Sequence, residues 1–197
     1  MTPEEYRNAS KRYRNVSMSM SGSGQDYISG RCLVMNHFLI PGLILQVVGI
    51  EKMMKAITAC EDSEGNIKKA RHDLQKLFNE VCTYPDYDIK RFSHYIPKME
   101  EIYRMRYHDS ERVSNSFTYG GPVDNGVLDD FYAELLDQIK LIPEFKYRCG
   151  LMAMIFDPYD RQNKKWALLN NPYLAYKIPK WKPMSEKYYL KDFRRID

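Results

Sequence analysis

The chain alternates between stretches with apolar residues at helical spacing and short stretches rich in Gly, Pro, Asn and Asp. Apolar side chains that recur every three to four residues form one buried face of a helix. Turn-forming residues between such stretches mark the helix ends. The pattern predicts a mainly α fold, an antiparallel helical bundle with helices at about residues 26–39, 41–57, 67–81, 97–106 and 127–141.

The segment before the first bundle helix has a different character. Thr2-Pro3-Glu4-Glu5 is a capping-box helix start, and residues 3–14 predict a short basic amphipathic helix. The stretch "SMSMSGSG" at residues 17–24 is typical of a flexible connector. We therefore predict that residues 1–24 form a basic segment with a linker ahead of the bundle.

The end of the chain also differs from the bundle. Proline recurs too often in "NPYLAYKIPKWKPMSEKYY" for one continuous element. The stretch at residues 145–156 fits either a buried helix or a strand, and we favour the helix. The predicted organisation is a bundle over residues 25–142 and a C-terminal extension, helical or irregular, packed on it over residues 143–197.

The second predicted helix carries charge in its most apolar part, "VVGIEKMMKAI" at residues 47–57. Glu51 falls on an apolar row of this helix and precedes Lys55 by four residues, which predicts a half-buried carboxylate. Arg106 falls on the inward stripe of the fourth helix, so we predict a Glu51–Arg106 ion pair. Such a pair either locks the helix register or lines a ligand site.

Three segments, in this order along residues 26–110, carry a family resemblance: "IEKMMKA", "RHDLQKLF" and "YIPKMEEIYRMRYHD". Together they resemble the HEPN (higher eukaryotes and prokaryotes nucleotide-binding) family, whose members have an E-K-x-x-K-A segment, an H-x-L helix start and an R-Y-P ending. The chain departs from that pattern at His108, where the family usually has proline. The resemblance implies a compact helical bundle that binds RNA or nucleotide, a homodimer, and a role in a defence or toxin–antitoxin system.

The resemblance, read with the residues, gives a set of candidate binding residues. Helical spacing also places His72 and Asp73 at the start of the third helix, where they either cap it or line a phosphate-binding helix N-terminus. The candidates are Glu51, Lys52, Lys55, His72, Asp73, Arg106 and Tyr107.

The ribonucleases of the family use an R-x(4-6)-H motif without metal. Arg31 and His37 have this spacing, but they lie on the first helix and project about 120° apart. Arg104 and His108 are four residues apart and share one helix face, so we name them as the catalytic candidates. His108 would act as general base and Arg104 would stabilise the phosphorane charge. The alternative is that both complement the helix C-terminus electrostatically.

Composition narrows the function classes. The net charge of +4 lies within residues 177–197, which have seven Lys or Arg against three Asp or Glu, interleaved with aromatic residues. This composition suits either base stacking and phosphate pairing or a solvated strap. No Walker, Rossmann, zinc or GxSxG motif is found, and we predict no metal and no cofactor.

The four cysteines are widely spaced, which predicts reduced thiols in the core. Residues 32–50 are interrupted by polar residues and by Pro41, so we predict a cytoplasmic protein rather than a membrane protein. Three functions remain open: a bundle that binds RNA or nucleotide, a metal-independent endoribonuclease, and a non-catalytic interaction module, with a nucleotidyltransferase as the expected type of partner.

Overall fold

In the computed structural model, the described residues are 2–62, 72–106 and 125–139. They are mainly helical and contain no strand, which confirms the predicted helical class for this part of the chain. The helices are α1 (Pro3–Met35), α2 (Leu39–Glu61), α3 (Leu74–Val81), a 3₁₀ helix (Lys90–Tyr95), α4 (Ile96–Arg104) and α5 (Asn125–Gln138). The predictions that concern residues 63–71, 107–124 and 140–197, the C-terminal extension among them, lie outside the described residues.

The first helix is longer than predicted. The capping box is confirmed: the Thr2 amide donates to Glu5 Oε2 at 2.6 Å and the Glu5 amide donates to Thr2 Oγ1 at 3.2 Å. The prediction of a flexible connector at residues 17–24 is wrong, because α1 continues through this stretch. Its buried stripe of Val16, Met20, Ser23 and Tyr27 has helical spacing, so packing offsets the low helix propensity of Gly and Ser.

Helices α1 and α2 form a closely packed antiparallel hairpin. A turn at residues 36–38 joins them, and within it His37 has a φ of 68°. A Cβ on Gly30 would lie 2.5 Å from the Gly42 carbonyl oxygen, and one on Gly49 would lie 2.9 Å from Tyr27 Cβ. Glycine at these positions therefore lets the two helix backbones approach more closely than a residue with a side chain would permit.

The remaining described helices pack against this hairpin. Pro97 lies in the first turn of α4, as predicted, whereas the 3₁₀ helix before it was not predicted. Phe131 of α5 stacks on Phe92 of the 3₁₀ helix at 4.5 Å and meets Phe78 of α3 edge-on at 6.0 Å. α5 itself begins two residues before the predicted start and ends three residues before the predicted end. An aromatic cluster thus joins α5 to α3 and to the 3₁₀ helix, which come from an earlier part of the chain.

Three of the four cysteines lie in the described part of the chain. Cys32, Cys60 and Cys82 are half-buried rather than core residues, and no disulfide joins them in the described part of the chain. Cys149 lies outside it.

Among the helices that can be assessed, none combines the length and the apolar character that a bilayer crossing requires.

Candidate functional site

A cluster of polar side chains surrounds Glu51 where α2 meets the start of α3 and the end of α4. The Glu51 side chain is 4% exposed, and its Oε1 accepts a hydrogen bond from Lys55 Nζ at 2.6 Å. His72 Nδ1 lies 3.0 Å from the same oxygen, and the Tyr103 hydroxyl lies 2.6 Å from His72 Nδ1. We call Glu51, Lys55, His72, Tyr103 and Arg106 the Glu51 cluster.

The protonation states in the Glu51 cluster follow from burial and hydrogen bonding. Burial alone would raise the pKa of Glu51, but the hydrogen bond and the charge of Lys55, with hydrogen bonds from Tyr103 and His72, lower it. Burial, and then the negative charge of Glu51, raise the pKa of Tyr103. At neutral pH the cluster therefore holds an ionised carboxylate next to a neutral phenol that can donate a hydrogen bond.

This carboxylate orients the His72 imidazole. Because an ionised carboxylate only accepts hydrogen bonds, the Nδ1–H tautomer of His72 fits the 3.0 Å contact with Glu51. In the neutral imidazole with this tautomer, Nε2 carries the lone pair. The His72 side chain is 59% exposed and its backbone has a φ of 55°. A left-handed turn thus presents an oriented imidazole to solvent while its inner nitrogen is held by the buried carboxylate.

Arg106 belongs to the Glu51 cluster, but not through the predicted contact. The Glu51–Arg106 ion pair is not formed; instead, the Arg106 guanidinium carbon lies 3.7 Å from the centre of the Tyr103 ring. Helix α4 ends at Arg104, so Arg106 lies in the following turn and does not extend the buried helical stripe. The Tyr103 hydroxyl contacts His72, and the Tyr103 ring contacts Arg106. Tyr103 therefore occupies the position near Glu51 that was predicted for Arg106. Tyr107 lies outside the described residues.

Lys52 lies apart from the Glu51 cluster. Its Nζ donates to Asp26 Oδ2 at 2.5 Å, on the side of α2 that faces α1. Neighbouring positions on a helix differ by about 100° in direction, so Glu51 and Lys52 face different elements. The structure therefore groups Lys55 with Glu51 and leaves Lys52 outside the candidate site.

The start of α3 is capped by carboxylates. Asp73 Oδ1 accepts from the Lys76 amide at 2.9 Å, which confirms the capping interpretation for Asp73, and Glu100 Oε1 accepts from the Gln75 amide at 3.2 Å. The backbone hydrogen bond from Lys76 lowers the pKa of Asp73. A phosphate at this helix end would have to displace two carboxylates.

Of the two Arg–His pairs with ribonuclease-like spacing, only Arg31 and His37 lie wholly within the described residues. Arg104 pairs with Glu100 at 3.4 Å on an exposed face, whereas His108 lies outside the described residues, so the prediction for this pair remains a prediction. The Nε of Arg31 donates to Asp129 Oδ2 at 3.0 Å in the protein interior. His37 is exposed in the α1–α2 turn. Arg31 and His37 therefore do not form a common site.

A buried polar network between α1, α2 and α5 was not predicted. The Tyr27 hydroxyl donates to Asp129 Oδ1 at 2.5 Å, next to the Arg31 contact, and the Tyr27 ring stacks on Tyr132 at 4.0 Å. Ser23 Oγ donates to the Gly49 carbonyl at 2.6 Å. The only signal in the sequence is that Asp129 interrupts an apolar stretch, and this signal does not identify its partners.

Among the described residues, no three His, Cys, Asp or Glu side chains gather in a way that could hold a metal ion. No protein-family model, curated protein or solved structure matches the chain.

Proposed function

We propose that the protein binds RNA or nucleotide at the Glu51 cluster. The supporting observation is that Lys55, His72 and Arg106, which come from three different segments, converge on Glu51 and Tyr103. Partly buried cations attract a phosphate more strongly than fully solvated ones, because less water screens the interaction. The HEPN resemblance supports the same ligand class.

Each residue of the cluster has a chemical role in this proposal. The Tyr103 ring packs against one face of the Arg106 guanidinium, and a planar guanidinium pairs with phosphate oxygens through the N–H groups in its plane. Lys55 adds a second positive charge, and His72 offers a hydrogen-bonding imidazole at the surface. Glu51 stabilises the free site by pairing with Lys55 until a ligand phosphate is present.

Binding of a 5′-labelled oligoribonucleotide of random sequence, followed by fluorescence anisotropy, tests the proposal. Loss of a charge-assisted phosphate contact is expected to weaken binding by roughly tenfold or more in Lys55→Gln and in Arg106→Gln. Lys52→Gln is the matched control, because it removes the same charge from the same helix but at the face that contacts α1. Equal affinities for the wild type and all three variants would exclude the site.

Metal-independent RNA cleavage is the second candidate function. The sequence predicts Arg104 and His108 for this reaction. We favour His72 as the general base, because Glu51 orients its imidazole. His72 Nε2 would accept the proton of a ribose 2′-hydroxyl, whose oxygen then attacks phosphorus. The bond to the 5′-oxygen breaks, that oxygen takes a proton from solvent, and a 2′,3′-cyclic phosphate remains. Arg106 and Lys55 would stabilise the phosphorane charge.

Cleavage in EDTA by a His72→Gly variant, with and without added imidazole, tests this second candidate. Glycine tolerates the φ of 55°, and added imidazole is expected to restore part of the lost activity. His37→Gly is the control, since His37 has a similar φ of 68° and lies away from Glu51. RNA that the wild type binds but does not cut would exclude cleavage and leave the binding proposal standing.

The resemblance also leads us to propose a homodimer in the cytoplasm that acts in a defence or toxin–antitoxin system. If the chain were instead a non-catalytic module for a nucleotidyltransferase, the oligoribonucleotide would not bind to the wild type. Light scattering of the purified protein should give about twice the monomer mass. A monomer mass would contradict the homodimer.

A further inference from the structure

The N-terminal part of α1 extends past the end of its partner helix. Gly30 packs against Gly42, and Ser23 bonds to Gly49, so residue numbers fall along α1 as they rise along α2. Following this antiparallel register, Glu61 at the end of α2 lies level with about residue 11 of α1. The first turns of α1 therefore extend past the end of α2, and we call residues 6–14, which run from this extension to just inside the hairpin, the arm.

This arm carries only positive charge after its first turn. From residue 6 to residue 25 the charged residues are Arg7, Lys11, Arg12 and Arg14. Arg7, Lys11 and Arg14 have the i, i+4, i+7 spacing that places them on one helix face. Arg7 and Arg14 are exposed, and neither has an ion-pair partner in the described part of the chain. Two exposed cations without a carboxylate partner among the described residues, Arg7 and Arg14, suit an anionic polymer.

Two tyrosines lie beside this row of cations. Tyr6 is 66% exposed and Tyr13 is 54% exposed. They are seven residues apart, which puts them on one face of α1, and each precedes an arginine of the row. Exposed aromatic rings next to cations are the surface on which proteins stack unpaired bases.

We propose that the arm, Tyr6–Arg14, is a contact surface for single-stranded RNA, in which Arg7, Lys11 and Arg14 pair with phosphates while Tyr6 and Tyr13 stack on bases. The inference rests on the proposed RNA binding and extends it to a surface separate from the Glu51 cluster. A single strand is required because the bases of a duplex are already stacked on each other. The continuous α1 helix holds these side chains in a fixed order.

An anionic membrane is the competing partner for a basic helix. A helix that lies on a membrane needs a broad apolar face opposite its cations. Val16 and Met20, which follow the arm on α1, are buried in the core, and an exposed Met18 between them does not make a broad apolar face. The exposed rings and the cations of the arm therefore favour the nucleic acid.

The salt dependence of binding to the random-sequence oligoribonucleotide tests the arginines. Each phosphate neutralised on a single strand contributes about 0.7 to the slope of log affinity against log salt, so the Arg7→Gln/Arg14→Gln double variant should lower the slope by about 1.4. The Lys52→Gln/Lys90→Gln double variant removes the same net charge elsewhere and should leave the slope unchanged.

Separate variants test the tyrosines. Tyr6→Leu and Tyr13→Leu should each weaken binding by roughly fivefold or more without changing the salt slope, since stacking involves no counterion release. Both residues are exposed, so folding should not be affected.

Three outcomes would overturn the inference, and they can be told apart. An unchanged salt slope in the arginine double variant, with weakened binding by Lys55→Gln, would reject the arm and keep the Glu51 cluster. No RNA binding by the wild type would reject both. Binding to phosphatidylserine vesicles that depends on Arg7 and Arg14, with RNA binding independent of them, would assign the arm to a membrane surface.

Discussion

Glu51 shows how a carboxylate is tolerated in an apolar helix. Its burial is offset by hydrogen bonds from Lys55, Tyr103 and His72, which lower its pKa. Helical spacing predicted a half-buried Glu51 four residues before Lys55, and the structure buries the carboxylate and pairs it with that lysine. The other two partners could not be predicted, because they depend on how the start of α3 and the end of α4 meet α2.

The ionisation of Glu51 should contribute to the pH dependence of stability. Because the folded-state pKa lies below the ordinary value of 4.5, the stabilisation is complete above that value and is lost as the pH falls through the folded-state pKa. Glu51→Gln should therefore be less stable than the wild type at neutral pH, and the difference should shrink towards acid pH. Urea unfolding at several pH values measures this, and a constant difference at every pH would contradict it.

The Asp73 cap was predicted from its position alone, because an N-cap depends only on residues within one helical turn. Asp73→Ala should lower the free energy of unfolding by about 1 kcal/mol, since the Lys76 amide loses its acceptor. Asp73→Asn keeps a side-chain oxygen and is the control. Chemical denaturation measures both, and equal losses in the two variants would show that charge, rather than capping, is the cause.

At the scale of elements, α1 is where sequence and structure differ most. Residues 17–24 contain only Ser, Met and Gly, whose local preferences predict a connector. Packing against α2 overrides these local preferences and keeps the stretch helical, because Met20 and Ser23 are buried in a continuous helix. The start of the helix was predictable from its capping box, whereas its continuity depends on contacts with a different part of the chain.

Two glycines of α1 should respond in opposite directions to alanine. A Cβ on Gly22 would lie 3.5 Å from Lys52 Nζ, an ordinary contact, so Gly22→Ala should stabilise the protein by about 0.5–1 kcal/mol through helix propensity. A Cβ on Gly30 would lie 2.5 Å from the Gly42 carbonyl oxygen, so Gly30→Ala should destabilise it by roughly 1–3 kcal/mol. Thermal unfolding of both variants measures the difference, and a shift of the same sign would contradict the close helix crossing.

At the scale of the whole molecule, a buried ion pair connects segments that are 98 residues apart in the chain. Arg31 and Asp129 lie on α1 and α5, and the Tyr27 hydroxyl donates to the same carboxylate. Neither Arg31 nor Asp129 has a sequence neighbour that indicates its partner. The sequence pattern therefore predicted both helices but not the contact between them. Only the packed molecule brings the two charges together.

The Arg31–Asp129 pair should behave as one unit in a double-mutant cycle. Arg31→Met leaves the fully buried Asp129 carboxylate without its cation and should cost about 3–5 kcal/mol, and Asp129→Leu should cost a similar amount by stranding the guanidinium. The Arg31→Met/Asp129→Leu variant removes both charges, so its loss should be much smaller than the two single losses added together. Urea unfolding of the four proteins gives the coupling energy, and strictly additive losses would show that the pair does not connect α1 to α5 energetically.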